Sequence, residues 1–129
     1  MTSSLYVYRA TVLKVFDADT ATISADLGFN ASLRVSVRLA GINARELAEP
    51  GGREARDHLA SLCPVGSTVT FHSLGVDKYG GRSLGRLLLD DGTDVAERMI
   101  ANGYAARWDG KGTRPVPRWP RLVDADGAA

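Results

Sequence analysis

The stretch Thr20-Ala21-Thr22-Ile23-Ser24-Ala25-Asp26-Leu27, with Leu33-Arg34-Val35-Ser36-Val37-Arg38-Leu39 after the break Gly28-Phe29-Asn30, decides the fold. Ala21, Ile23, Ala25 and Leu27 alternate with polar residues, and Leu33, Val35, Val37 and Leu39 alternate with Arg34, Ser36 and Arg38. Successive side chains of a strand point to opposite faces, so a period of two predicts two half-buried strands joined by a turn. The polar face of the second carries two arginines, Arg34 and Arg38.

Outward from this pair, Leu5–Phe16 is rich in Val, Tyr and Thr and reads as a preceding strand. Asp17-Ala18-Asp19-Thr20 separates them, because Asp tolerates turn geometry and bonds its own backbone. Gly41–Gly52 reads as a polar loop. Arg53–Cys63 is helical in pattern, with Ala55, Leu59, Leu62 and Cys63 on one stripe and Pro64 and Gly66 stopping it. Thr68–Leu74 and Leu84–Leu89 predict two further strands around the charged loop Asp77-Lys78-Tyr79-Gly80-Gly81-Arg82. Asp94–Asn102 predicts a second helix, with capping-box spacing from Asp94 to Glu97 and Gly103 at its C-terminal stop. Short alternating strands with a helix after the third and another after the fifth suit a mostly β, α+β chain forming a five-stranded OB-type barrel over residues 5–107. Residues 108–129 form a tail: Pro115, Pro117 and Pro120 forbid a long helix there, and residues 107–121 carry five basic groups against Asp109.

Composition narrows the class. The 129 residues suit one domain, and 44% apolar content supports a real core. No apolar run approaches the ~18 residues of a membrane span, and Met1–Tyr6 shows no signal-peptide pattern. Cys63 is the one cysteine, which excludes an internal disulfide and a cysteine zinc site. A reducing cytoplasm is the simplest compartment, compatible with phage or mobile-element origin. The net charge of +1 gives no global bias toward nucleic acid, so such a role needs local charge asymmetry. His58 and His72 have no second His or Cys at metal spacing, and both read as surface positions. Trp108 and Trp119 read as residues that pack the tail onto the barrel, with base stacking as the alternative.

Three clusters stand outside the apolar alternation. Asp17 and Asp19 offer oxygen ligands to a hard cation. Arg38-Leu39-Ala40-Gly41-Ile42-Asn43-Ala44-Arg45-Glu46 sets a guanidinium fork near an amide oxygen and a carboxylate, a combination that suits phosphodiester hydrolysis. Lys78, Tyr79 and Arg82 suit a phosphate and a stacked base. Each alone also reads as an ordinary turn or solvated loop.

In this order, the three clusters resemble the staphylococcal nuclease (thermonuclease) family. That family combines an Asp-x-Asp-Thr turn, an Arg-to-Asp-Thr-Pro-Glu segment and an Asp-Lys-Tyr-Gly-Arg loop on an OB barrel. The resemblance runs from about Tyr8 to Arg107 and includes the helix ending in Asn102-Gly103-Tyr104-Ala105. It implies a nuclease, an endonuclease of the phosphodiester-hydrolase class, cleaving DNA or RNA with little sequence preference. Asp19, Asn43 and the Ala44 carbonyl would hold a divalent cation, Ca²⁺ first, with Mg²⁺ and Mn²⁺ as alternatives. Arg38 and Arg82 would be the phosphate-clamping arginines, Glu46 the carboxylate acting on water, and Lys78 and Tyr79 the substrate contacts. The expected partner is nucleic acid, with no membrane and a monomeric chain.

The departures are specific. Asn43 stands where the prototype has Asp, which removes one negative charge from the cation site. Arg45 replaces the usual proline and sets an extra cation beside Glu46. Gly81 inserts a residue before Arg82, which leaves Arg86 as the alternative second arginine. The family's long C-terminal helix gives way to the proline-broken tail. Asn43 supports the competing reading, an OB-fold module that binds nucleic acid and cleaves it weakly or not at all.

Overall fold

The β2–β3 hairpin forms where the alternation places it, and the rest of the barrel closes around it. The computed structural model describes residues 6–76 and 82–121. In chain order the elements are β1 (Val7–Asp17), β2 (Thr20–Gly28), β3 (Ala31–Leu39), β4 (Ile42–Ala44), α1 (Gly52–Leu62), β5 (Thr68–Val76), β6 (Ser83–Leu88), α2 (Val95–Ala101) and β7 (Ala105–Arg107). Five of the strands close into a barrel in the order β1-β2-β3-β6-β5. The architecture is the expected five-stranded OB-type barrel with two helices.

Closure is made by one parallel pairing, β3 with β6, in which Arg38 lies opposite Leu84 and Leu39 opposite Gly85. All the other barrel pairings are antiparallel. Gly85 is required at this seam, since a Cβ there would stand 2.7 Å from the His72 carbonyl oxygen. Removing the inward-facing apolar side chains from water is the main driving force. Val12, Ile23, Val37, Leu39 and Leu87 are fully buried inside the barrel wall, and Leu59 from α1 and Met99 from α2 join the same core.

Two local readings are corrected. Residues 42–44 belong to a strand, not a loop: Ile42, Asn43 and Ala44 pair antiparallel with Arg107, Ala106 and Ala105. All three β4 residues are buried, so no alternation marks them. The capping box is half made. Asp94 accepts a hydrogen bond from the Ala96 amide at 2.9 Å. Glu97 turns away to a two-bond pair with Arg107 at 2.8 and 2.9 Å. The stop at Gly103 holds: its φ is 81°, its amide donates to the Ile100 carbonyl, and the Tyr104 amide donates to the Met99 carbonyl.

Residues 108–121 pack back without a helix. The Trp119 ring covers Gly51 so closely that a Cβ at Gly51 would overlap it. Arg121 sits 4.5 Å over the Tyr104 ring. His58 is not the expected surface residue: it is half-buried, stacks on Tyr104 at 4.4 Å and hydrogen-bonds Asn102 Oδ1 at 2.7 Å.

Candidate active site

The turn between β1 and β2 is pinned to the far end of the hairpin. The Leu39 amide donates to the Asp19 carbonyl at 2.8 Å, and Thr20 pairs with Arg38 across the strands. Asp19 and Arg38, distant in sequence, are thereby held side by side. Their side chains form an ion pair at 3.4 Å, with Arg38 10% and Asp19 13% exposed.

Arg38 is fixed by backbone. Its Nη1 donates to the Leu39 carbonyl at 2.9 Å and its Nη2 to the Ile42 carbonyl at 3.0 Å. The tight turn between these carbonyls uses Gly41, whose φ is 85°. The Asp19 carboxylate accepts from the Ala44 amide at 3.2 Å through one oxygen and from the Thr20 hydroxyl at 3.3 Å through the other. Burial pushes the Asp19 carboxyl up to about 7, against the opposing pull of Arg38. Carboxylate charge held in so dry a place favours additional positive charge.

Asp19, Arg38, Asn43, Ala44, Glu46 and Arg82 line one hollow of about 130 Å³. The site residues named from sequence within the described stretches therefore share a single space. Arg82 donates to the Thr20 hydroxyl at 3.2 Å, which holds it over the same turn. Arg86 does not line this hollow; it borders the larger cavity beside it and forms an ion pair with Asp94 at 2.9 Å at the start of α2. Of the two alternatives for the second arginine, Arg82 is the one that faces the hollow. Lys78 and Tyr79 lie outside the described residues.

Glu46 is exposed at the rim, and its carboxylate makes no hydrogen bond or ion pair among the described residues. Its backbone is fixed: the Glu46 amide donates to Glu49 Oε1 at 2.7 Å, and the Glu49 amide donates back to the Glu46 carbonyl at 2.9 Å. Arg45 Nε donates to the Pro117 carbonyl at 2.9 Å and ties the loop to the tail.

Asp17, Arg45 and Arg114 line the hollow as well. Asp17 was visible as the first carboxylate of the turn, and its Oδ1 accepts from the Asp19 amide at 3.1 Å. Arg114 gave only a compositional signal, a charge in a basic tail. Among the described residues, no three His, Cys, Asp or Glu side chains are grouped to hold a metal unaided. The side-chain oxygens of residues lining the hollow are the carboxylates of Asp17, Asp19 and Glu46 and the Asn43 amide oxygen, which also lies 3.5 Å from Arg38 Nη2; Ala44 lines it as well. This is a hard-cation donor set, with water left to complete the shell.

Beside the hollow lies a larger cavity of about 550 Å³, which shares Arg38, Arg82 and Arg114 with it. Leu39, Leu84 and Trp108 supply its apolar side; Arg86, Arg107 and Lys111 supply basic groups and Glu97 and Asp109 acidic ones, with Arg107 paired to Glu97.

The molecule is thus an OB-type barrel that gathers carboxylates and guanidiniums at the open end of its closing seam. The sequence profile of the staphylococcal nuclease homologue family matches residues 36–122, and the chain belongs to that family. It is 33% identical over 105 residues to an uncharacterized endonuclease of Escherichia coli O157:H7, covering 81% of this chain and 64% of that protein. It is also 33% identical over 90 residues to a probable staphylococcal-like nuclease of Oryza sativa subsp. japonica, covering 69% of this chain and 23% of the relative. The chain spans less than two thirds of the length of these relatives. Among the described residues no helix is long and apolar enough to cross a membrane.

Proposed function

We propose that the chain is a divalent-metal-dependent nuclease that hydrolyses phosphodiester bonds of DNA, RNA or both, with little sequence preference. The observation that carries this reading is the convergence of Asp19, Arg38, Glu46 and Arg82 on one hollow.

Asp19, Asn43 and the Ala44 carbonyl would hold the cation, with Ca²⁺ the first choice and Mg²⁺ or Mn²⁺ the alternatives. When bound, the cation polarises the scissile phosphate and helps place water. Arg38 presents a charge that does not reorganise, because two backbone carbonyls anchor it. Arg82 adds a second guanidinium to the lining of the hollow, and the two neutralise charge developing on the phosphate oxygens. Glu46, exposed at the rim, orients the attacking water or takes its proton. The neighbouring cavity suits the strand beyond the reacting phosphate, with Trp108 as an aromatic wall and Arg107 and Lys111 as backbone contacts. Recognition through phosphates rather than base edges gives little sequence preference and a clear salt dependence.

A second reading, a non-cleaving nucleic-acid-binding module, is favoured by one observation: an amide stands at residue 43 in place of a carboxylate. Digestion of plasmid and of RNA in parallel with Ca²⁺, Mg²⁺, Mn²⁺ and chelator separates the two. Cleavage that needs a divalent ion and is lost in Glu46→Gln supports the nuclease. Binding without cleavage under every ion supports the module, and cleavage unchanged in excess chelator removes the metal.

A further inference from the structure

The tail from Arg114 to Arg121 is laid across the site by side-chain clamps. The Asn43 Nδ2 donates to the Pro115 carbonyl at 2.9 Å, and the Arg45 Nε donates to the Pro117 carbonyl at 2.9 Å. Alternate residues on one side meet alternate carbonyls on the other, as two extended segments lying side by side would. Only a side chain with a hydrogen to give can do this; an aspartate at 43 or a proline at 45 has none. Pro115 and Pro117 have fixed φ and no amide hydrogen, so an extended strap is ordered at low conformational cost. Farther along, Arg121 Nη1 donates to the Asn102 carbonyl at 3.2 Å, and Trp119 lies against Gly51. The strap is therefore held at both ends.

This clamping puts Arg114 at the junction of the two cavities. It lines both, with its guanidinium carbon 5.4 Å from the centre of the Trp108 ring. Arg38 and Arg82 also line both cavities. A strand leaving the hollow toward the larger cavity must pass Arg114, where a planar guanidinium suits a phosphodiester oxygen pair. We propose that Arg114 is a substrate-binding residue for the phosphate adjacent to the one cleaved, and that Asn43 and Arg45 are positioning residues that hold its segment. The proposal rests on the nuclease reading.

The test is binding of a short oligo(dT) strand to the Glu46→Gln protein in excess chelator, followed across salt concentration. Chelator keeps any cation role of Asn43 out of the measurement. Removing one phosphate contact lowers the slope of log K against log salt by about 0.7 for a single strand. Arg114→Ala is expected to show that drop. Asn43→Ala is expected to show the same drop, and the double variant no more than either alone. Arg118→Ala removes an equal charge outside both cavities and is expected to change the slope by less than half as much. An unchanged slope in Arg114→Ala, an equal drop in Arg118→Ala, or additive single effects would overturn the proposal. Binding or cleavage that improves in Arg114→Ala would also overturn it, by showing that the strap obstructs the site. Failure of the underlying reading is a separate result: wild-type turnover by Glu46→Gln, or no strand binding by that parent protein.

Discussion

Arg38 and Asp19 meet at 3.4 Å inside the end of the β2–β3 hairpin, and neither side chain is more than 13% exposed. The arginine also satisfies the Leu39 and Ile42 carbonyls, so one side chain ties the turn, the strand end and β4 together. Structure and proposed catalysis are loaded on the same group.

Arg38→Ala is therefore expected to lower stability as well as turnover. Removing one partner of a buried pair costs about 3 kcal/mol or more, and removing a fixed donor to a reacting phosphate costs about 10²–10³ in rate. Arg38→Lys is expected to rescue neither fully, because an ammonium cannot span two carbonyls and the carboxylate as a fork does. Urea melts and single-turnover kinetics check both effects. A wild-type rate in either variant places the phosphate elsewhere.

Glu46 behaves oppositely. Its carboxylate is exposed and unbonded among the described residues, so Glu46→Gln is expected to leave the melting temperature within a degree or so. Turnover should fall by about 10²–10⁴, the usual worth of a positioned acid–base group. Comparable losses of stability and rate would mean that Glu46 serves the loop rather than the reaction.

Gly52→Ala reaches Glu46 from behind. A Cβ at Gly52 would overlap the Glu46 carbonyl oxygen, so the loop must shift. The expected result is a stability loss of about 1–3 kcal/mol and a fall in kcat larger than any change in KM. Kinetics that match wild type would show that Glu46 does not need its present position.

Asn43→Asp sets two effects against each other. A carboxylate adds charge to the cation site, so Ca²⁺ affinity measured by calorimetry is expected to rise. The same change removes the donor to the Pro115 carbonyl, so protease cleavage within residues 110–121 is expected to speed up. If affinity does not rise, residue 43 is not in the coordination shell.

Cys63 gives the pH dependence. Burial pushes its thiol from 9.0 to about 11. Between those values the unfolded chain has lost a proton that the folded chain keeps. Stability is therefore expected to fall as pH climbs from about 9 to about 11, by up to about 3 kcal/mol. Cys63→Ala should flatten that limb of the melting curve. In the wild type, a thiol reagent at neutral pH should react at the rate of unfolding. Fast labelling of native protein would contradict the burial.

How much of this could be read from the chain depends on the range of each interaction. The barrel strands were legible because alternation is local, and the first two clusters because turns and strand ends carry their own signatures. β4 was not, because Ile42, Asn43 and Ala44 are buried together and their partners at 105–107 lie far along the chain. That Arg82 rather than Arg86 lines the hollow depends on the parallel seam, which no local pattern specifies. Asn43 was read as a weakened ligand, but half of its amide is occupied by a carbonyl 72 residues away. Glu97 had the right spacing for a cap, yet a nearby guanidinium outcompeted the backbone for it.

The parallel contact between β3 and β6 has a kinetic corollary. It joins segments separated by some forty residues, and contacts of that range form late because the intervening loop must close first. Arg38 belongs to one side of that junction and Arg82 borders the other, so a half-assembled chain has the carboxylates without their full set of countercharges. Recovery of cleavage during refolding should consequently lag behind recovery of hairpin structure, which would make enzymatic turnover a clock for the last step of assembly.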